Sequence, residues 1–183
     1  MSNNNYIHEY FTNSTDPTKE GYWRPPHLDN DPIALQRIAD VVAKISDTDK
    51  VLDVGCGYHP FKGKIKNLLG IDKYNPAADI VVDMLDFDAE LDSYDVVLAL
   101  GSTNLIGLEL IEKQIEKIIS WCKPGGRIFM RVNPVLEKVI SPKHDVYAWK
   151  LEDIDYFTKK HSLIMLEEPA LTKSMRYEFI WQK

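Results

Sequence analysis

The stretch that decides the fold is Lys50-Val51-Leu52-Asp53-Val54-Gly55-Cys56-Gly57. Its first five residues form a short apolar run, with an aspartate near the end, that stops at a glycine. A run of that length, rich in β-branched residues and closed by Gly-x-Gly, predicts a buried strand feeding a tight turn. Gly55 and Gly57 allow dihedrals and a close backbone approach that any side chain would obstruct. Upstream, Asp31 followed by Pro32 reads as an N-cap with proline at the first helical position. Ile33, Ile38, Val41, Val42 and Ile45 then recur at helical spacing, which predicts a helix to about residue 45.

Downstream, Pro60 is expected to open a short helix carrying Phe61, Ile65, Leu68 and Leu69. Strands are expected over 69–72 and 78–83, each closing on an aspartate, and over 94–100. The stretch from Met84 to Ser93 leaves little room for a full helix. Gly107 to Cys122 carries Leu108, Ile111, Ile115, Ile118 and Ile119 on one helical face and ends at Lys123-Pro124-Gly125-Gly126, a helix breaker joined to a tight turn. A strand over 127–132, a helix over 151–160 and strands over 162–167 and 175–181 complete the pattern. Strands alternating with helices predict an α/β fold with parallel pairing and helices on both faces of one sheet.

With 183 residues, the chain has room for one well-filled core and not for two ordinary domains. Residues 1–31 form an aromatic-rich N-terminal arm (Tyr6, Tyr10, Phe11, Tyr22, Trp23), and 32–183 form the domain. The composition, 44% hydrophobic and 27% charged, is globular. A net charge of -6 weighs against a surface built to neutralise nucleic-acid phosphates. Cys56 and Cys122 lack a Cys-x-x-Cys pattern and read as reduced thiols, and the five histidines show no paired ligand spacing, so no metal is expected. No apolar run approaches the length of a membrane span, and a cytoplasmic location is expected.

In an open α/β sheet, ligands sit beyond the carboxyl ends of the strands. The first three strands bring Asp53 with Gly55 and Gly57, then Asp72, then Asp83 to those ends, and a carboxylate about 20 residues after the first can accept ribose hydroxyls. A dinucleotide loop, Gly-x-Gly-x-x-Gly, would need a glycine where Pro60 stands, and proline has no N–H for a pyrophosphate. A phosphate loop fails because Gly63-Lys64 is followed by Ile65 rather than Ser or Thr. Asp53 puts negative charge beside the loop, which suits a cationic ligand better than two phosphates.

Taken in this order and spacing, Val51 to Gly57, Gly70-Ile71-Asp72, Val82-Asp83-Met84, Tyr94-Asp95-Val96-Val97 and Lys123 to Ile128 resemble class I S-adenosylmethionine-dependent methyltransferases over roughly residues 33–183. The resemblance implies a Rossmann-like doubly wound sheet of seven strands, mostly parallel, with the last strand antiparallel. It implies S-adenosylmethionine as cofactor: Asp53, Gly55, Cys56 and Gly57 lining the methionine end, Asp72 and Lys73 at the ribose, Asp83 and Met84 at the adenine, and Leu100 with Gly101 closing the opposite wall. Tyr58-His59-Pro60 departs from the family's usual third glycine.

The activity implied is methyl transfer to an acceptor, with a small molecule favoured over nucleic acid or protein. A non-catalytic cofactor-binding subunit is the alternative, and a nicotinamide oxidoreductase stands third. The Asp/Asn-Pro-Pro-aromatic motif of amino-methylating enzymes is replaced by Gly101-Ser102-Thr103-Asn104-Leu105. Candidates for acceptor contact or catalysis are Ser102, Thr103 and Asn104 after the fourth strand, Arg131 and Asn133 after the fifth, and His144, Tyr147 and Trp149 in the following connection. Arg24, Lys62, Lys64 and Lys66 would favour an anionic substrate if they converged on the pocket.

Overall fold

The computed structural model describes residues 31–104, 108–134 and 147–183; all of the expected arm of 1–31 except Asp31, and His144, lie outside the described residues. The elements run α1 (Pro32–Ala43), β1 (Lys50–Val54), β2 (Asn67–Asp72), β3 (Ile80–Val81), β4 (Tyr94–Ala99), α2 (Leu108–Trp121), β5 (Cys122–Val132), α3 (Leu151–Lys160), β6 (Ile164–Leu171) and β7 (Tyr177–Gln182). One seven-stranded sheet has the order β3-β2-β1-β4-β5-β7-β6. β1 to β5 pair in parallel, and β7 lies antiparallel to both β5 and β6. The expected α/β, mostly parallel architecture with an antiparallel last strand is the one observed.

Alternation along the central strands builds the core on both faces. Val51, Val96, Leu98, Phe129 and Ile180 face Ile38 and Val41 of α1, together with Phe61 and Ile65. Leu52, Val97, Ile128, Met130 and Trp181 face Ile111, Ile115 and Ile118 of α2 and Phe157 of α3. α1 starts as expected, Asp31 Oδ1 accepting from the Ile33 N–H at 2.9 Å. On α2 the apolar face is narrower than the sequence implies, because Leu108 is exposed and Ile119 only half-buried.

The expected helix at Pro60 is absent. Residues 55–66 cross from β1 to β2 through turns, with His59 at φ 58° and Gly63 at φ 76°. Two left-handed residues four apart cannot belong to one right-handed helix, and Leu68 and Leu69 belong to β2 instead. Phe61 and Ile65 nevertheless cover the sheet, taking the place a crossover helix ordinarily fills.

β3 shrinks to two residues. β5 begins before the glycines: Tyr94 pairs with Cys122 and Val96 with Arg127, so Lys123 to Gly126 bulge out opposite Asp95, with Gly125 at φ 77°. β6 runs past the expected end at Glu167 to Leu171, carrying Pro169 through a register shift on the sheet edge, where proline is tolerated.

Candidate functional site

Asp53 is the next-to-last residue of β1, β2 ends at Asp72, and residues 82–85 follow β3, so the three carboxylates share the carboxyl edge of one half of the sheet. The loop after β1 is tied to β2. The N–H groups of Gly55 and Cys56 donate to Ile71 O at 2.8 and 3.0 Å, and Gly57 N–H donates to Asp72 Oδ2 at 2.9 Å. Gly55 has φ 68° and Gly57 φ 55°. A Cβ on Gly55 would stand 2.6 Å from Ser102 Cβ, so the loop is packed directly against the segment leaving β4.

Asp53 is 2% exposed, and its Oδ2 has no hydrogen-bond partner among the described residues. Burial, with the charge of Asp72 second, pushes its carboxyl up to about 7. A buried acceptor left open costs free energy unless something fills it. Asp72 differs: Oδ1 takes the N–H groups of Tyr74 and Asn75 at 2.8 and 2.9 Å, and Oδ2 takes Gly57. A carboxylate has about four lone-pair sites, so roughly one is left for a ligand hydroxyl. Asp83 accepts from Lys73 Nζ at 2.8 Å and from Leu85 N–H at 3.0 Å. Burial pushes Asp83 up, but these partners outweigh it and the carboxyl lies below its ordinary value, with Lys73 raised in return.

Met84 is buried beneath this rim, while Leu100 and Gly101, the latter at φ 125°, lead away from β4. Cys56 is buried, and desolvation, then Asp53, drive its thiol far above the ordinary value, which makes it inert as a nucleophile.

Of the acceptor-side candidates, Asn104 is a structural clip: Nδ2 donates to Gly101 O at 3.0 Å and Oδ1 accepts from Asn133 N–H at 2.8 Å. Trp149 is buried, with Nε1 donating to Thr103 O at 2.9 Å. Tyr147 packs edge-on against Trp149, and desolvation followed by Asp153 pushes its phenol up to about 12. Ser102 Oγ, Thr103 Oγ1 and Asn133 Oδ1 are buried without partners among the described residues, the same signature as Asp53. Lys62 binds Asp79 Oδ1 at 2.7 Å and Lys64 the Pro60 carbonyl at 3.0 Å.

One local device escaped the sequence reading. His59, 4% exposed, sets Nε2 2.7 Å from Asp79 Oδ2, which also accepts from Gly70 N–H at 2.9 Å. The ring lies over Gly70 so closely that a Cβ there would be 2.4 Å from Nε2. His59 thus pins the loop after β1 to β2 where a crossover helix is missing. The clue was Gly70, a glycine inside a strand, which marks close approach of another group.

The sheet order and the reversed β7 define the fold of class I S-adenosylmethionine-dependent methyltransferases. No family model and no curated protein matches the chain. Among solved structures it is similar to the N-methyltransferase NodS of Bradyrhizobium japonicum in complex with S-adenosyl-L-homocysteine: 15% identity over 96% of this chain and 98% of that one, TM-score 0.70. It is likewise similar to the magnesium protoporphyrin IX methyltransferase of Synechocystis with bound S-adenosylmethionine, at 16% identity over 99% and 96% of the two chains and TM-score 0.69. A third is the 1,6-didemethyltoxoflavin N1-methyltransferase of Burkholderia thailandensis, 11% identical over 99% and 86%, TM-score 0.69. Among the described residues no helix is long and apolar enough to cross a membrane, and no three His, Cys, Asp or Glu side chains are placed to hold a metal.

Proposed function

We propose that the chain is an S-adenosylmethionine-dependent methyltransferase acting on a small molecule. The observation that carries the reading is the buried, half-unpartnered carboxylate of Asp53 at the end of β1, beside a left-handed glycine loop. A cationic ligand there supplies what Asp53 lacks, whereas a pyrophosphate would meet the carboxylates of Asp53 and Asp72 across one loop. Asp53 would hold the ammonium end, the last acceptor position of Asp72 a ribose hydroxyl, and the Asp83–Lys73 pair with Met84 the base. Two of the similar structures are a 1,6-didemethyltoxoflavin N1-methyltransferase and a magnesium protoporphyrin IX methyltransferase, which favours a small acceptor.

Bound in this site, S-adenosylmethionine would supply a methyl group already activated by its sulfonium sulfur, with a neutral thioether as leaving group. The chain's own part is positioning and exclusion of water, which can lower such a barrier by several kcal/mol, on the order of 7–11 at best. No described side chain on the acceptor side is available as a strong base: the Asn104 amide is engaged, Tyr147 keeps its proton, and Cys56 is buried.

Isothermal titration with S-adenosylmethionine and S-adenosylhomocysteine tests the cofactor; absence of heat at high micromolar ligand sinks the proposal. Binding without methyl transfer to any acceptor in a broad panel would instead favour a non-catalytic cofactor-binding subunit.

A further inference from the structure

The two faces of the sheet are not covered alike. α2 and α3 both pack on one face, whereas α1 is the one described helix in the core cluster of the other. Its Ile38 and Val41 meet Val51, Leu98, Phe129 and Ile180, and β6 lies at the far edge of the sheet. A cavity of about 470 Å³ occupies the gap between α1 and this outer part of the sheet. Ile33, Gln36, Arg37, Asp40, Val41 and Lys44 line it from α1, a spacing of threes and fours that belongs to a single helix face. Phe129 and Ile180 line it from the sheet, and Leu100, just past β4, from the rim. Ile33 is 49% exposed, an apolar side chain left uncovered on the cavity wall.

Strand register gives the cavity its breadth and its neighbour. Glu167 on β6 pairs with Ile180, Ile180 with Phe129, and Phe129 with Leu98 of β4, so the floor spans three strand intervals, about 14 Å in all. Leu98 also pairs with Asp53, so Leu100, two residues on, is level with Gly55 one strand away. One end of the cavity therefore adjoins the glycine loop. The wall carries three cations, Arg37, Lys44 and Lys173, and three carboxylates, Asp40, Glu167 and Glu178. Lys44 holds Glu167 at 2.6 Å, Asp40 accepts the Gln36 amide at 2.8 Å, and Glu178 accepts from Arg131 Nε at 3.0 Å. An entering carboxylate would meet three acids along with the cations, and an entering amine the reverse, so either ion loses hydration without entering a field of one sign. An uncharged apolar body loses little hydration and covers Ile33, Phe129 and Ile180.

We propose that this cavity holds the acceptor as an uncharged, planar ring system lying between the Ile33 face of α1 and the Phe129–Ile180 floor, its reacting edge turned past Leu100 toward the glycine loop. The word acceptor rests on the methyltransferase reading, and the class of ligand rests on the cavity alone. A volume of this size, apolar at the floor and polar at the margin, is that of small-molecule sites in general. The preference for a flat molecule follows from the walls, a sheet face on one side and a helix stripe on the other.

The test is a 19F NMR titration of the full chain with three probes that share one ring and differ in charge: neutral 6-fluoroindole, anionic 6-fluoroindole-2-carboxylate and cationic 6-fluorotryptamine, each with and without saturating S-adenosylhomocysteine. The neutral probe is expected to bind about tenfold more tightly than either ion and to stay bound when S-adenosylhomocysteine is added. Ile33→Glu puts a charge on the wall in the first turn of α1, where a helix tolerates an acid. It should weaken 6-fluoroindole about tenfold and leave S-adenosylhomocysteine affinity unchanged. Gln36→Trp, which fills the cavity from the same helix face, should weaken the probe at least as much. An ion that binds as tightly as 6-fluoroindole, displacement of the probe by S-adenosylhomocysteine, or folded variants that bind it like the parent would overturn the inference. Should the variants not fold, the ranking of the three probes on the parent chain decides. A chain that binds 6-fluoroindole but never S-adenosylhomocysteine keeps the cavity and loses the cofactor; one that binds S-adenosylhomocysteine and none of the probes keeps the cofactor and loses the cavity.

Discussion

At the residue scale Asp53 is the informative position. Its carboxyl has an ordinary value of 3.8 and is raised to about 7 in the fold. Between those values the folded state holds a proton the unfolded chain has released, so stability falls as pH rises through that window and levels off above it. Asp53→Asn should flatten that slope and be more stable than the parent at pH 8, which urea unfolding at several pH values measures. A cation bound beside Asp53 requires the ionised form, so S-adenosylhomocysteine affinity should climb toward neutral pH and plateau above about 7, and Asp53→Asn should abolish the climb. A parent affinity that does not move between pH 5.5 and 8 would remove Asp53 from the site. Gly70→Ala tests the close approach of His59. Overpacking should cost about 1–3 kcal/mol, and His59→Ala should relieve part of it, so strictly additive losses would refute the contact. The placement of Asp53, Gly55 and Asp72 at the carboxyl ends of β1 and β2 was readable from spacing.

At the scale of elements the sequence was most legible where one period ran without interruption. β1 and α3 have the expected bounds, and β4 is one residue shorter than expected. It misled where chain geometry overrode pattern. Phe61 and Ile65 are spaced as on a helix face, yet His59 and Gly63 are left-handed, and both side chains reach the core from turns. The strand expected to end at Glu167 continues to Leu171, with Pro169 absorbed at a register shift of this edge strand. The antiparallel β7 came from family resemblance, since nothing in the period of Tyr177–Gln182 reports strand direction. If the β1–β2 crossover is part of the core, Phe61→Ala, at a site 3% exposed, should cost about 3–5 kcal/mol in urea unfolding. A loss below about 1 kcal/mol would mean the segment merely lies on the surface.

At the scale of the whole molecule, two apolar layers sandwich one sheet, and ligand binding at its carboxyl edge couples to their joint stability. S-adenosylhomocysteine at a hundredfold over its dissociation constant stabilises a folded protein by about 2.7 kcal/mol. For a chain of this size that corresponds to a rise in melting temperature of about 5–10 °C. A scan that shows no shift at saturating ligand would contradict the proposed function independently of calorimetry. The same measurement on Gly55→Ala, whose Cβ would meet Ser102, should show the shift lost.

The ties that hold the glycine loop have a kinetic meaning. Two backbone bonds to Ile71, one to the Asp72 carboxylate and the His59–Asp79 contact fix the loop through the chain's own groups. A receptor built in advance needs no slow rearrangement before capture. Stopped-flow association should therefore give an observed rate that increases linearly with ligand concentration, without the plateau of a gated step, and loosening the clamp by His59→Ala should bring that plateau into view.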